Sequence, residues 1–230
     1  VLRAVIPGGV RHPDNLGEAT SVFAMLFQFQ LRLVIFFGCV IIFGNLIRRE
    51  VLDRSLHYYF LSPLRREILA FAKFAAGLIS AWLLFLPATL LSFFLAYAPY
   101  SGVAIGDFLA RGPGVGHLAA YLGATALACI GYGALFFALG LFVKSPAIPA
   151  LALFGWEWLH FLLPPLLKQA SVVHYLLALC PVPVPEGPFA LMADPPSVWV
   201  AVAVLLLLAV VLLALSAWKI RRLEIAYEED

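Results

Sequence analysis

The sequence predicts an all-α integral membrane protein, a bundle of about five transmembrane helices with one amphipathic cytoplasmic connector helix. Three observations carry that expectation. Of 230 residues, 63% are apolar and only 12% charged, with a mean hydropathy of +0.99, whereas an ordinary soluble domain is roughly half apolar and about a quarter charged. Apolar runs close to or beyond the ~20 residues that cross a ~30 Å hydrocarbon core recur along nearly the whole chain. Lys and Arg collect at particular span ends, as they do in short cytoplasmic loops. The net charge is only +2, so the balance of charge speaks of topology and offers nothing to a nucleic acid.

Residues 1–21 are mixed and polar, carry Pro7, Gly8, Gly9 and Pro13, and show no signal-peptide pattern; they read as extracytoplasmic. The first span is expected at 22–47, with Gln28, Gln30 and Arg32 weakening its first ten residues and a sharp end at Arg48. Arg32 reads best as a long side chain reaching the outer interface, with a place on a pathway as the alternative. The second span, 68–97, is long enough to tilt and carries Pro87, which neighbouring helices can accommodate. An extracytoplasmic loop at 98–117 leads to the third span, 118–143. Its small residues, among them Gly123, Ala124, Ala128, Gly131, Gly133 and Gly140, permit close backbone approach and predict a central position.

A tight turn at Lys144, Ser145 and Pro146 opens a fourth span at 147–167, ended or kinked by Pro164 and Pro165. Residues 168–196 read as an extracytoplasmic Pro-rich segment that begins with a short amphipathic stretch. The fifth span, 197–218, is almost wholly Val, Leu and Ala, with Trp199 and Trp218 marking its interfaces, and 219–230 is a cytoplasmic tail. Five spans with the C-terminus inside put Val1 outside, which is most simply explained by a further span upstream and six in the full protein. Cys39 and Cys129 lie in apolar runs and Cys180 in the Pro-rich loop, a spacing that suggests neither a metal site nor a disulfide.

The connector at 48–67 holds most of the charge. In helical form it places Val51, Leu52, Leu56, Tyr59 and Phe60 largely on one side, and Arg48, Arg49, Glu50, Asp53, Arg54 and His57 on another. Glu50 with Arg54, and Asp53 with His57, have the i,i+4 spacing of stabilising pairs. Pro63 breaks the helix, and Arg65, Arg66, Glu67 and Lys73 lead into the next span. On physical grounds this is either a loop that only fixes topology or a docking surface.

The succession Glu50, Arg54-Ser55-Leu56, Tyr58-Tyr59, Ser62-Pro63, Arg65-Arg66-Glu67 and Lys73 resembles the cytoplasmic connector of ABC-2 type transporter permeases, the membrane subunits of ABC exporters. The resemblance implies that Arg48, Arg49, Glu50, Asp53, Arg54, Tyr58, Pro63, Arg65, Arg66 and Glu67 couple the permease to a separate nucleotide-binding ATPase subunit. It further implies a second permease chain, as homodimer or homologous half, a bacterial plasma (inner) membrane, and export by alternating access. No GxxxxGK[ST] phosphate loop occurs, so ATP and Mg are expected in the partner ATPase and no cofactor in this chain.

Glu157 is the only carboxylate within a predicted span, and His160 shares its helix face. A charge at that depth costs at least ~2.5–3.5 kcal/mol, so Glu157 should face the bundle or water and have a partner. It is either part of a hydrogen-bonded arrangement that orders the bundle or a member, with His160, of a substrate or proton path. A metal site would need matching ligands on other spans, where there is no second carboxylate. His160 paired with His117 or His174 is the one arrangement that could hold a haem, which leaves a membrane anchor or intramembrane redox subunit as the alternative function.

Overall fold

A computed structural model describes residues 16–44, 46, 66–100, 102–143, 146–184 and 195–221. Helix α1, Leu16–Gly44, is continuous but widens into a π-helical turn at Gln30–Ile35. Helix α2 spans Arg66–Tyr97, α3 Gly102–Ala110, α4 Gly114–Phe142 and α5 Ala147–Trp158, which tightens into a 3-10 turn at Leu159–Leu162. Two short helices follow, α6 at Pro165–Lys168 and α7 at Val172–Leu177, before α8 at Val198–Arg221. Helices α1, α2, α4 and α8 are long and apolar enough to cross a membrane, and the chain is an all-α membrane bundle.

The helix ends follow local chemistry. Glu18 and Glu67 stand in the first turns of α1 and α2, and Lys219 and Arg221 in the last turn of α8, each of the sign the helix dipole favours. The Ser197 hydroxyl accepts from the Val200 amide at 3.4 Å at the start of α8. Pro87 lies inside α2 without ending it.

Helix α4 is the axis of the bundle, packed on α8, α2 and the second half of α1, as its small residues lead one to expect. Two glycines show how close the approach is. A Cβ added at Gly140 would lie 2.6 Å from the Gly44 carbonyl oxygen of α1, and one at Gly133 2.8 Å from the Phe43 ring. Phe43 therefore sits in a notch between α4 and Gly77 of α2, packed on Phe74 with ring centroids 5.4 Å apart. Gly123, by contrast, faces open space. The Trp82 indole donates to the Ala126 carbonyl at 3.3 Å and ties α2 to α4. Trp199 and Trp218 are exposed near the two ends of α8, where an aromatic belt places them.

The Arg221 Nε lies 2.6 Å from the Glu67 carboxylate, so α2 begins and α8 ends at the same end of the bundle. Pro146 packs against Gly44 there too. The expected loop at 98–117 contains α3, and the expected outer segment at 168–196 contains α7, which is mostly buried.

The fourth expected span, 147–167, is interrupted in the structure. Over Ala147–Leu162 the helix has 16 residues, too few for the hydrocarbon core. The cause is the pair Pro164-Pro165: Leu163 (ψ 141°) and Pro164 (ψ 154°), each preceding a proline, are forced out of the helical region. Helix α5 climbs from the Gly44 end until Glu157 reaches Tyr132 of α4. After the break, Val172 of α7 packs beside Gly131, near the midpoint of α4. Beyond α7, Cys180 comes within electrostatic reach of Tyr121, toward the other end of α4. The stretch between α4 and α8 is thus built of two pieces, α5 and α7, that meet beside the middle of α4.

Candidate functional site

The break leaves backbone amides buried within the protein, and an unpaired amide in an apolar interior costs several kcal/mol. Glu157 solves this locally. Its Oε1 accepts from the Val172 amide at 2.9 Å, and its Oε2 from the Val173 amide at 2.9 Å and the Ser171 hydroxyl at 2.7 Å. The Tyr132 hydroxyl adds a longer bond to Oε2 at 3.4 Å. The carboxylate thus caps α7 from another segment, the place a Ser or Asp side chain takes in an ordinary N-cap, and it favours the positive end of a helix dipole. Ser171 stands at the N-cap position, yet its hydroxyl donates away from its own helix to Glu157. Glu157 is 4% exposed and Ser171 1%, so the arrangement is sealed within the protein.

Other polar side chains gather beside this clip. His160 is buried in the 3-10 turn, and its ring packs on His174 of α7 with centroids 5.5 Å apart and planes at 37°. Lys168 of α6 is also buried, although the sequence places it in an outward loop. Glu157, His160, Lys168, Ser171 and His174 all come from the 18 residues that make the break. The described residues contain no group of three or more His, Cys, Asp and Glu arranged to hold a metal.

A second polar layer crosses the three long helices nearby. The Gln30 amide of α1 donates to the Thr89 hydroxyl of α2 at 3.0 Å, and Thr89 shares a 3.0 Å bond with Thr125 of α4. Each threonine also lies 2.9 Å from the carbonyl four residues before it, Phe85 and Tyr121. Gln30 opens the π-helical turn of α1, and Arg32 follows two residues later. Turns of this kind re-aim side chains and are frequent at functional sites.

Of the residues expected to couple to an ATPase, Arg48, Arg49, Glu50, Asp53, Arg54, Tyr58, Pro63 and Arg65 lie outside the described residues. Arg66 is the first residue of α2, and Glu67 is held by Arg221. Glu157 and His160, expected as a pair on one helix face, are both at the break, and Glu157 accepts hydrogen bonds from Tyr132, Ser171, Val172 and Val173. Sequence reasoning missed Ser171 as a partner because it lies 14 residues away across two prolines. The available signal was Pro164-Pro165 soon after a lone carboxylate, which says that amides are freed where an acceptor is at hand.

No family model, no curated protein and no solved structure matches the chain.

Proposed function

We propose that this chain is the transmembrane permease subunit of an ATP-binding-cassette exporter of the ABC-2 type, in a bacterial plasma membrane. It works with a second permease chain and is driven by a separate ATPase that binds ATP and Mg. The observation that carries this reading is the connector pattern from Glu50 to Lys73, set between two membrane-crossing helices.

The bundle offers a mechanical route for such a drive. The connector joins the end of α1 to the start of α2, and at that end Phe43 wedges between Gly77 and Gly133 while Gly44 touches Gly140. A displacement of the connector is therefore delivered to rigid contacts on α4, which a packed interior transmits instead of absorbing. The two-piece crossing suits a transporter as well, since non-helical backbone at membrane depth is tolerated where it is buried in protein or lines a cavity.

The test exchanges the charges of Glu50 and Arg54. Where the connector is helical, as its pattern leads one to expect, the exchange keeps the i,i+4 attraction, worth only ~0.2–0.5 kcal/mol. Like charges brought together across a docking surface cost several kcal/mol, so co-purification with the partner ATPase and transport-coupled ATP hydrolysis should fall. Wild-type levels of both in a correctly inserted double variant would remove these charges from the coupling and the reading with them.

A further inference from the structure

We propose that Arg32 forms, within the membrane, a binding site for the phosphate or carboxylate head of an anionic amphiphile. The inference concerns binding alone and stands whether or not an ATPase drives the protein.

Arg32 lies 16 residues from the start of α1 and 12 from its end, inside a continuous 29-residue helix. At 1.5 Å per residue it is ~18 Å or more from either end of that helix. An arginine within a membrane-crossing helix faces protein or a cavity and is paired. Here the pairing is incomplete. Its Nε is shut off from solvent with no hydrogen-bond partner among the described residues. The neighbour within electrostatic reach is the Tyr132 hydroxyl, which is directed at Glu157. Glu157, which Tyr132 meets, is already held by two amides and a serine. Arg32 itself is only partly buried, so part of its surface remains open to a ligand.

The chemistry of the missing partner follows from the group and its surroundings. A guanidinium is a planar fork of donors that fits carboxylate and phosphate oxygens in pairs and cannot be deprotonated. The π-helical turn that carries it packs against α4 and α5, so the fork stands beside the seam between the crossing helices and the broken one. Around it the surface is apolar and aromatic. Phe36 and Phe37 of α1 pack on Phe154 of α5 at 5.7 and 4.9 Å, Phe154 packs on Trp158 at 5.6 Å, and Phe29, Phe37 and Trp158 remain exposed. A small hydrated anion has to give up its water to reach this depth and gains nothing from the aromatic surface. An amphiphile brings its charge there on an apolar tail that this surface covers.

The protein, reconstituted in phosphatidylcholine nanodiscs, is titrated with spin-labelled phosphatidic acid and with spin-labelled phosphatidylcholine of the same chains, the motionally restricted fraction being read in each case. Charge-assisted bonds of this kind predict a preference of about tenfold or more for the anionic lipid. Arg32→Gln should abolish the preference and Arg32→Lys, which keeps the charge but not the fork, should retain part of it. Inorganic phosphate added in excess should not displace the lipid; displacement would make the ligand a free anion and overturn the amphiphile. A preference that is absent in the wild type, or unchanged in Arg32→Gln, would overturn the site. A photoactivatable phosphatidic acid on the wild-type protein gives a reading that no variant's folding affects. Crosslinks should concentrate in residues 28–37 and 151–158, and labelling spread evenly over the lipid-facing helices would refute the proposal.

Discussion

Helix α4 and the α5–α7 segment both lie deep in the bundle, and they satisfy their backbones in opposite ways. Helix α4 keeps 29 residues unbroken, so its amides are met within the helix and its side chains are left to pack. It does this with glycines and alanines, and Gly133 and Gly140 admit neighbours so closely that a single methyl group would collide. The α5–α7 segment is broken by prolines, so its amides must be met from outside, and Glu157 meets them. The lesson is that an intramembrane charge need not mark chemistry. Here the carboxylate lies where the backbone is interrupted, and the interruption gives it its partners.

The largest expected effect breaks that comparison at Glu157. Glu157→Ala leaves two buried amides without acceptors, at about 1–3 kcal/mol each, and also removes the Ser171 bond. A total loss of roughly 3–5 kcal/mol is expected, read by steric trapping in micelles. Glu157→Gln keeps one carbonyl acceptor and the shape, so folded protein should persist with a smaller loss. Should Glu157→Ala unfold no more readily than an alanine placed at lipid-facing Leu83, the clip does not hold the break together. Full loss of transport by a well-folded Glu157→Gln variant would instead make the carboxylate a pathway residue.

A smaller effect belongs to the glycines of α4. Gly140→Val drives a side chain against the Gly44 backbone, which cannot rotate away, and should cost about 1–3 kcal/mol. Gly123→Ala, where the added methyl meets nothing, should be neutral or gain up to about 1 kcal/mol from the helix propensity of alanine. Thermal unfolding of the two variants side by side sharpens the contrast. A clear loss at Gly123 would mean that another chain packs there, as a second permease would.

The smallest expected effect is at the polar layer across α1, α2 and α4. Thr89→Val preserves volume and removes the hydroxyl shared by Gln30 and Thr125. Interhelical bonds in membrane proteins average ~0.6 kcal/mol with a maximum near ~1.7, so the loss should fall in that range. A double-mutant cycle with Thr125→Val measures the coupling, and additivity of the two losses would show that the threonines do not act on each other.

The sequence by itself determined the membrane class, the four long helices, the central place of α4 and the aromatic ends of α8. These depend on composition, on apolar length and on small residues, all local quantities set by a solvent that demands about 20 apolar residues and an internally bonded backbone. It also singled out Glu157, because a lone carboxylate in an apolar run is visible without coordinates. Only the tertiary structure decided what that carboxylate does. A run of apolar residues ending in prolines reads equally as a kinked span or as a broken one. The choice depends on whether a partner at the right depth can take up the freed amides. That partner proved to be Glu157 itself, 15 residues before Val172 in the chain and 2.9 Å from its amide in space. The position of Arg32 was decided the same way. In a string of letters it stands near the weak start of a span and can be read as reaching the outer surface. The structure sets it 16 residues into a continuous helix from Leu16, on a turn packed against α4 and α5.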